Sequence, residues 1–135
     1  MTTFLGEHPY ALDDKNRVIL PVKFREPLQG AFITSEIDGC LGLWPPDEFD
    51  RRAAEMKERA RGGAEGRNVA RFFFAGAREA SPDKQGRVAL PQHLREFAHL
   101  TRDVVINGAW DHVEIWDAAV WRDKKEAGER ALSGS

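Results

Sequence analysis

The chain has 135 residues, 41% hydrophobic and 31% charged, a balance that excludes disorder along its whole length. Its net charge of −2 excludes a uniformly basic nucleic-acid-binding surface, and no apolar run approaches the roughly 20 residues that cross a bilayer. The single cysteine, Cys40, excludes an internal disulfide and fits a reducing cytoplasm, while the stretch from Met1 to His8 lacks the basic-then-apolar order of an export signal.

In chain order, "HPYAL" alternates and predicts a strand with Tyr10 and Leu12 on one face. "RVIL" predicts a second strand, with Val18 and Leu20 on one face and Arg17 and Ile19 on the other. Between them Asp14, Lys15 and Asn16 form a three-residue loop, so the two strands are expected to pair as a hairpin. Asn at the last loop position tolerates the left-handed backbone that such loops require. Across the hairpin base Asp13 and Arg17 are expected to face each other. That pair is either a plain surface ion pair, worth little, or a carboxylate that orients an arginine for a ligand; the two roles are compatible.

Pro21 suits the first position of a helix, and "PVKFRE" is expected to be short because Pro27 disfavours helical geometry at Glu26. "CLGLW" (40–44) predicts a strand ending in Trp44. Asp47 to Ala60 predicts an amphipathic helix with Phe49, Ala53, Met56 and Ala60 on one stripe, ended by Gly62 and Gly63. "RNVARFFFAGA" is compatible with a buried helix or a strand; helix to about Phe74, broken at Gly76, is favoured.

Then the first unit returns. "DKQGRVALPQHLRE" (83–96) matches "DDKNRVILPVKFRE" (13–26) without a gap at Asp13/Asp83, Arg17/Arg87, Val18/Val88, Leu20/Leu90, Pro21/Pro91, Arg25/Arg95 and Glu26/Glu96. Gly86 takes the place of Asn16 in the loop, and Phe24 and Leu94 are expected to pack on the core. "HVEIW" (112–116) parallels "CLGLW", and "DAAVW" opens a last helix as "PPDEF" does the earlier one. The polar tail "KKEAGERALSGS" is expected to fray. The boundaries implied are a first repeat at 5–48, a helical connector at 49–76, a second repeat at 77–120, and a C-terminal helix and tail at 121–135.

Charge follows the repeat. Residues 13–25 carry four bases against two acids and residues 83–95 three against one, so all the acidic excess lies elsewhere. A local positive field steers a polyanion more than the total charge does. Enzyme signals are weak: His8, His93, His99 and His112 have no metal-ligand spacing, Cys40 has no recognisable base motif near it, and no Gly-rich phosphate loop occurs. His112 reads as a half-exposed strand residue. No catalytic residue, metal site or cofactor is expected.

The two Asp-x-x-x-Arg-hydrophobic-x-hydrophobic-Pro units, together with "RFFFAGA" and the closing "VEIWD", resemble the MraZ family of bacterial transcriptional regulators. The resemblance covers nearly the whole chain. It implies an α+β, β-rich fold: a swapped-hairpin β-barrel of SpoVT-AbrB type, formed by two tandem repeats in one chain with peripheral helices. It further implies ring-shaped homo-oligomers and double-stranded DNA as partner. The DNA would be promoter repeats upstream of the division and cell-wall gene cluster, including the protein's own gene. Cytoplasmic, nucleoid-associated localisation follows, with no membrane partner. The Asp–Arg motifs are the family's DNA-contacting signature and fall on Asp13/Arg17 and Asp83/Arg87. Lys15, Lys84, Lys23, Arg25 and Arg95 are the candidate phosphate contacts. Two departures stand out: Asn16 where the family usually has Gly, and Ser81-Pro82 where it usually has strand residues, which should shorten that strand or place it at an edge. The competing reading is an AbrB-like protein–protein or antitoxin-type module without specific DNA readout.

Overall fold

The computed structural model of the protein describes residues 3–134. Met1 and Thr2, on which the export-signal reading begins, and Ser135 at the end of the tail lie outside the described residues. The first repeat supplies β1 (Glu7–Ala11), β2 (Arg17–Ile19), α1 (Val22–Arg25), β3 (Phe32–Ser35) and β4 (Leu41–Trp44). Two helices follow, α2 (Pro46–Ala60) and α3 (Ala64–Gly76). The second repeat supplies β5 (Arg78–Glu79), β6 (Arg87–Ala89), α4 (Gln92–Phe97), β7 (Asp103–Gly108) and β8 (Val113–Asp117), and α5 (Ala118–Ser133) closes the chain.

The fold is α+β. Six strands form an antiparallel sheet in the order β1-β7-β8-β4-β3-β5, so both edges and the middle of the sheet join one repeat to the other. The remaining two strands, β2 and β6, pair only with each other. This overturns the expected hairpin partners. The loops at 14–16 and 84–86 do close, through Asp13 N–H to Arg17 O and Asp83 N–H to Arg87 O, both 2.9 Å. Beyond that closing bond the strands separate, because Leu12 donates to Arg102 O and β1 runs on along β7. Neither sheet is closed, so the expected barrel is not formed by continuous strand pairing. Strands β2 and β6 hold three residues each and pair only with each other, and β5 holds two residues. Pro82 lies just beyond β5, an edge strand, as the missing donor requires.

One hydrophobic core serves both repeats. Val18, Leu20, Phe24 and Leu28 from the first meet Val88, Leu90, Leu94 and Ala98 from the second, together with Ile33, Leu41, Leu43, Ile106, Val113 and Ile115 of the large sheet. Each fully buried aliphatic side chain contributes about 1.5–3 kcal/mol, against about 1 kcal/mol for a ladder hydrogen bond. Side-chain burial therefore dominates the energy holding the small β2–β6 ribbon in place.

The helices follow their sequence signals, with local differences. Met56 is buried on α2, and Phe49, Ala53 and Ala60 of the same stripe are half-buried, as the periodicity requires. Helix α3 runs through the three phenylalanines to Gly76; Phe73 is buried while Phe72 and Phe74 are exposed. Pro21 and Pro91 stand one position earlier than expected, as N-caps of α1 and α4. Glu26 keeps helical angles (φ −65°, ψ −48°) despite Pro27, so the steric bias against it is overridden at the helix end. The tail does not fray within the described residues: α5 continues to Ser133 and ends on Gly134 in the left-handed conformation. Asp117 caps its start by accepting from the Ala119 and Val120 amides, and Lys125 ties it to Glu7 of β1 at 2.9 Å.

A polar cluster lies where β4 meets β8. His112 precedes β8 rather than lying in it; it is half-buried, and its ring stacks on Trp44 at 3.8 Å. Its Nδ1 is 2.7 Å from Asp111 and its Nε2 3.5 Å from Glu114. Trp44 Nε1 donates to Thr34 and Glu36, and Arg52 pairs with Glu36 at 2.5 Å. Burial alone would lower the His112 pKa, but the two carboxylates outweigh it and hold it above its ordinary 6.5. A raised pKa in the folded state contributes stability that is complete below pH 6.5 and lost as pH rises through the folded value. The melting temperature should therefore fall across that interval, and His112→Gln should abolish the slope; an unchanged slope in the variant would assign it to another group.

Gly86 has φ +80°, and a Cβ there would lie 2.1 Å from Arg25 Nε. Gly86→Ala should cost on the order of 1–3 kcal/mol in urea unfolding. Asn16→Gly, at φ +56° in the matching loop, should change stability by only a few tenths.

Candidate nucleic-acid interface

The loop chemistry is the same in both repeats. Asp13 Oδ1 accepts from the backbone amides of Lys15 and Arg17 at 2.9 and 2.8 Å, which fixes the turn, and Oδ2 accepts from Arg17 Nε at 2.8 Å. Asp83 repeats this with Gln85 and Arg87 amides, both at 2.9 Å, and with Arg87 Nε at 2.9 Å. One carboxylate thus shapes the turn and orients the guanidinium. The Nε side of each arginine is occupied, which leaves its terminal nitrogens as the forward edge of the fork.

The β2–β6 register joins the two loops into one surface. Arg17 lies opposite Ala89, Val18 opposite Val88, and Ile19 opposite Arg87. Val18 and Val88 are buried, so Arg17, Ile19, Arg87 and Ala89 share the outward face. Leu20 N–H donates to Gly86 O at 2.8 Å and Leu90 N–H to Asn16 O at 3.1 Å, so each repeat's strand end is fastened to the other repeat's loop. The arginine side chains are 23% and 31% exposed, positioned rather than freely mobile.

The remaining candidates divide by place. Lys15 and Lys84 are exposed on the two loops, and Lys23 is exposed on α1 with Nζ 5.8 Å from the Phe24 ring centre. Arg25 and Arg95 turn toward the ribbon ends: Arg25 Nε donates to Leu20 O at 2.9 Å, and Arg95 Nη1 donates to Leu90 O. Arg25 occupies the space that the missing side chain of Gly86 leaves open. Sequence reasoning placed these two arginines by repeat position and missed that they brace the ribbon, since nothing in a linear pattern marks a carbonyl five residues back as their partner. It also gave no part to Ile19, which is 40% exposed between the arginines. Its only signal was its position on the Arg17 face of the strand.

Elsewhere the described residues include no group of three or more His, Cys, Asp or Glu able to hold a metal, and no helix long and apolar enough to cross a membrane. Cys40 is buried; burial, then the neighbouring acids Glu114, Glu36 and Asp38, push its thiol far above the range in which a thiolate forms.

The architecture is that of a tandem-repeat α+β protein whose two Asp–Arg loops meet on one ribbon. The family described as "MraZ protein, putative antitoxin-like" matches residues 3–72 and again 73–132, and the chain belongs to this family. Among similar proteins is one named transcriptional regulator MraZ from Salinispora arenicola (strain CNS-205), 47% identical over 119 residues, covering 87% of this chain and 84% of the relative. A protein of the same name from Heliobacterium modesticaldum (strain ATCC 51547 / Ice1) is 44% identical over 124 residues, covering 91% and 87%. Another, from Frankia alni (strain DSM 45986 / CECT 9034 / ACN14a), is 42% identical over 131 residues, covering 96% and 92%.

Asp13 and Asp83 are held below the ordinary 3.8, first by the backbone amides of Arg17 and Arg87, against the opposing effect of partial burial, and then by the guanidinium groups. A depressed carboxylate contributes stability present above pH 3.8 and lost as pH falls through the folded value. Carbon-detected NMR titration should place both carboxyls below 3.8, and Arg17→Ala should move Asp13 upward while leaving Asp83 in place. A shift of both together would mean that the loops are not independent clasps.

Proposed function

We propose that the protein is a transcription regulator that binds double-stranded DNA with sequence preference, using the β2–β6 ribbon as its reading surface. The observation that carries this is the placement of Arg17 and Arg87 on one outward face, each held by an aspartate. A two-stranded ribbon is narrow enough for a major groove about 12 Å wide. A guanidinium can bond guanine O6 and N7 with two donors. Lys15 and Lys84, exposed on the two loops, and Lys23, exposed on α1, would meet phosphates, together with Arg25 and Arg95 at the ribbon ends.

The finer assignment rests on the family resemblance. The sites would be repeats upstream of the division and cell-wall gene cluster, including the protein's own gene, bound by a ring of subunits. With a net charge of −2, one subunit offers a modest field, and several subunits on repeated sites gain affinity through effective concentration without new contacts. Surface for subunit contact is available in an apolar groove of about 690 Å³ bounded by Ile37, Met56, Val69, Phe72, Phe73 and Phe97. The same groove favours the second reading, a protein-interaction module of antitoxin type. Salt separates the two: phosphate binding weakens steeply with ionic strength, and an apolar interface does not.

Fluorescence anisotropy with DNA from upstream of the protein's own coding sequence should give saturable binding that exceeds a scrambled duplex and weakens at high salt. Arg17→Ala should reduce specific affinity at least ten-fold, about 1.4 kcal/mol, with assembly unchanged in sedimentation. Unaltered binding by an intact assembly would remove Arg17 from the mechanism, and salt-insensitive self-association without DNA binding would favour the interaction module.

A further inference from the structure

The outward face of the ribbon is symmetric in its arginines and asymmetric in what stands beside them. Rotation about the midpoint of the Val18–Val88 pair exchanges Arg17 with Arg87 and Ile19 with Ala89. The hydrogen bonds from Leu20 to Gly86 and from Leu90 to Asn16 mark those positions as the closely bonded pairs of the ladder. Alternation along an antiparallel ribbon then makes Ile19–Arg87 and Arg17–Ala89 the non-hydrogen-bonded pairs, in which side chains approach most closely, with Cα atoms about 4.5 Å apart. Arg87 therefore lies opposite a branched, four-carbon apolar side chain, and Arg17 opposite a single methyl.

Ile19 is unusual for its place. Its chain neighbours Val18 and Leu20 are completely buried, whereas Ile19 is 40% exposed on a face it shares with Arg17, Arg87 and Ala89. Folding leaves this apolar area in water beside the arginines. In the major groove the one apolar feature on a base edge is the C5-methyl of thymine, and apolar side chains recognise it by contact.

The geometry points to Ile19 as a specificity-determining residue that contacts a thymine methyl next to the base read by Arg87. This rests on the ribbon being the DNA-reading surface. Ala89 is too short to make the equivalent contact beside Arg17, so the two halves of the ribbon read unequal sequences despite their matching arginines. The DNA site is accordingly asymmetric: on one side an arginine contact is accompanied by a required thymine, and on the other it is not.

The test uses the upstream duplex with each thymine replaced singly by deoxyuridine, which deletes only the methyl group. With the wild-type protein, one replacement in each recognition unit should weaken binding about four-fold, the effect of losing one buried carbon. Ile19→Ala should bind the thymine and deoxyuridine duplexes equally. Ala89→Ile should create a second methyl-sensitive thymine, on the Arg17 side. Sequence-preferring binding with no methyl effect, or a methyl effect that persists in Ile19→Ala, overturns the assignment and leaves the regulator reading standing. Equal binding of the wild-type protein to natural and scrambled duplexes overturns that reading and the assignment with it.

Discussion

Strand β2 and strand β6 hold three residues each, and neither could persist alone in water. Their pairing across the repeats is the constraint on which the arrangement of the rest depends. Val18 and Val88 face inward at its centre, Leu20 and Leu90 at its ends, and all four lie in the core shared by both halves. The ribbon can stay in register only if the loops beside it keep their shape, because those loops supply two of its carbonyl acceptors, Asn16 O and Gly86 O. Left-handed backbone at Asn16 and Gly86, the aspartate clasps, and the bracing by Arg25 and Arg95 are all local solutions to that one requirement.

The same requirement explains how a chain of slightly acidic net charge can present two oriented arginines on one outward face. An exposed Asp–Arg pair adds little stability by itself. Its value lies in orientation: the carboxylate takes the Nε side of the guanidinium and the loop amides together, so the arginine is aimed before any ligand arrives. Aimed side chains lose less conformational freedom on binding than free ones. Placing two such arginines on one narrow ribbon concentrates positive charge there, while the acids elsewhere in the chain keep the net charge slightly negative.

Much of the local structure was legible because it depends on near neighbours. The alternation of Val18 and Leu20 against Arg17 and Ile19 survives unchanged, as does the left-handed loop position shared by Asn16 and Gly86. The helices at 46–60 and 64–76 follow their apolar periodicity and glycine stops. The repeat was visible by direct identity, and the family match in two consecutive segments agrees with it. The failures share a cause. Periodicity tells which face of a strand is buried and says nothing about its partner, so β1 and β2 looked like a hairpin although β1 pairs with β7. His112 looked like a strand residue because its stacking on Trp44, nearly seventy positions away, leaves no local trace.

By itself the sequence determined the two repeated units, the chemistry of each loop, and the residue types on each side of β1 and β2, since all of these arise from interactions within a few residues. Only the tertiary structure decided that the two units share one core and that β2 and β6 pair across the repeats. It thereby set Arg17 and Arg87 on one surface with Ile19 and Ala89 between them. Those outcomes depend on which buried surfaces meet, and that is settled by packing the whole chain at once rather than by any segment of it.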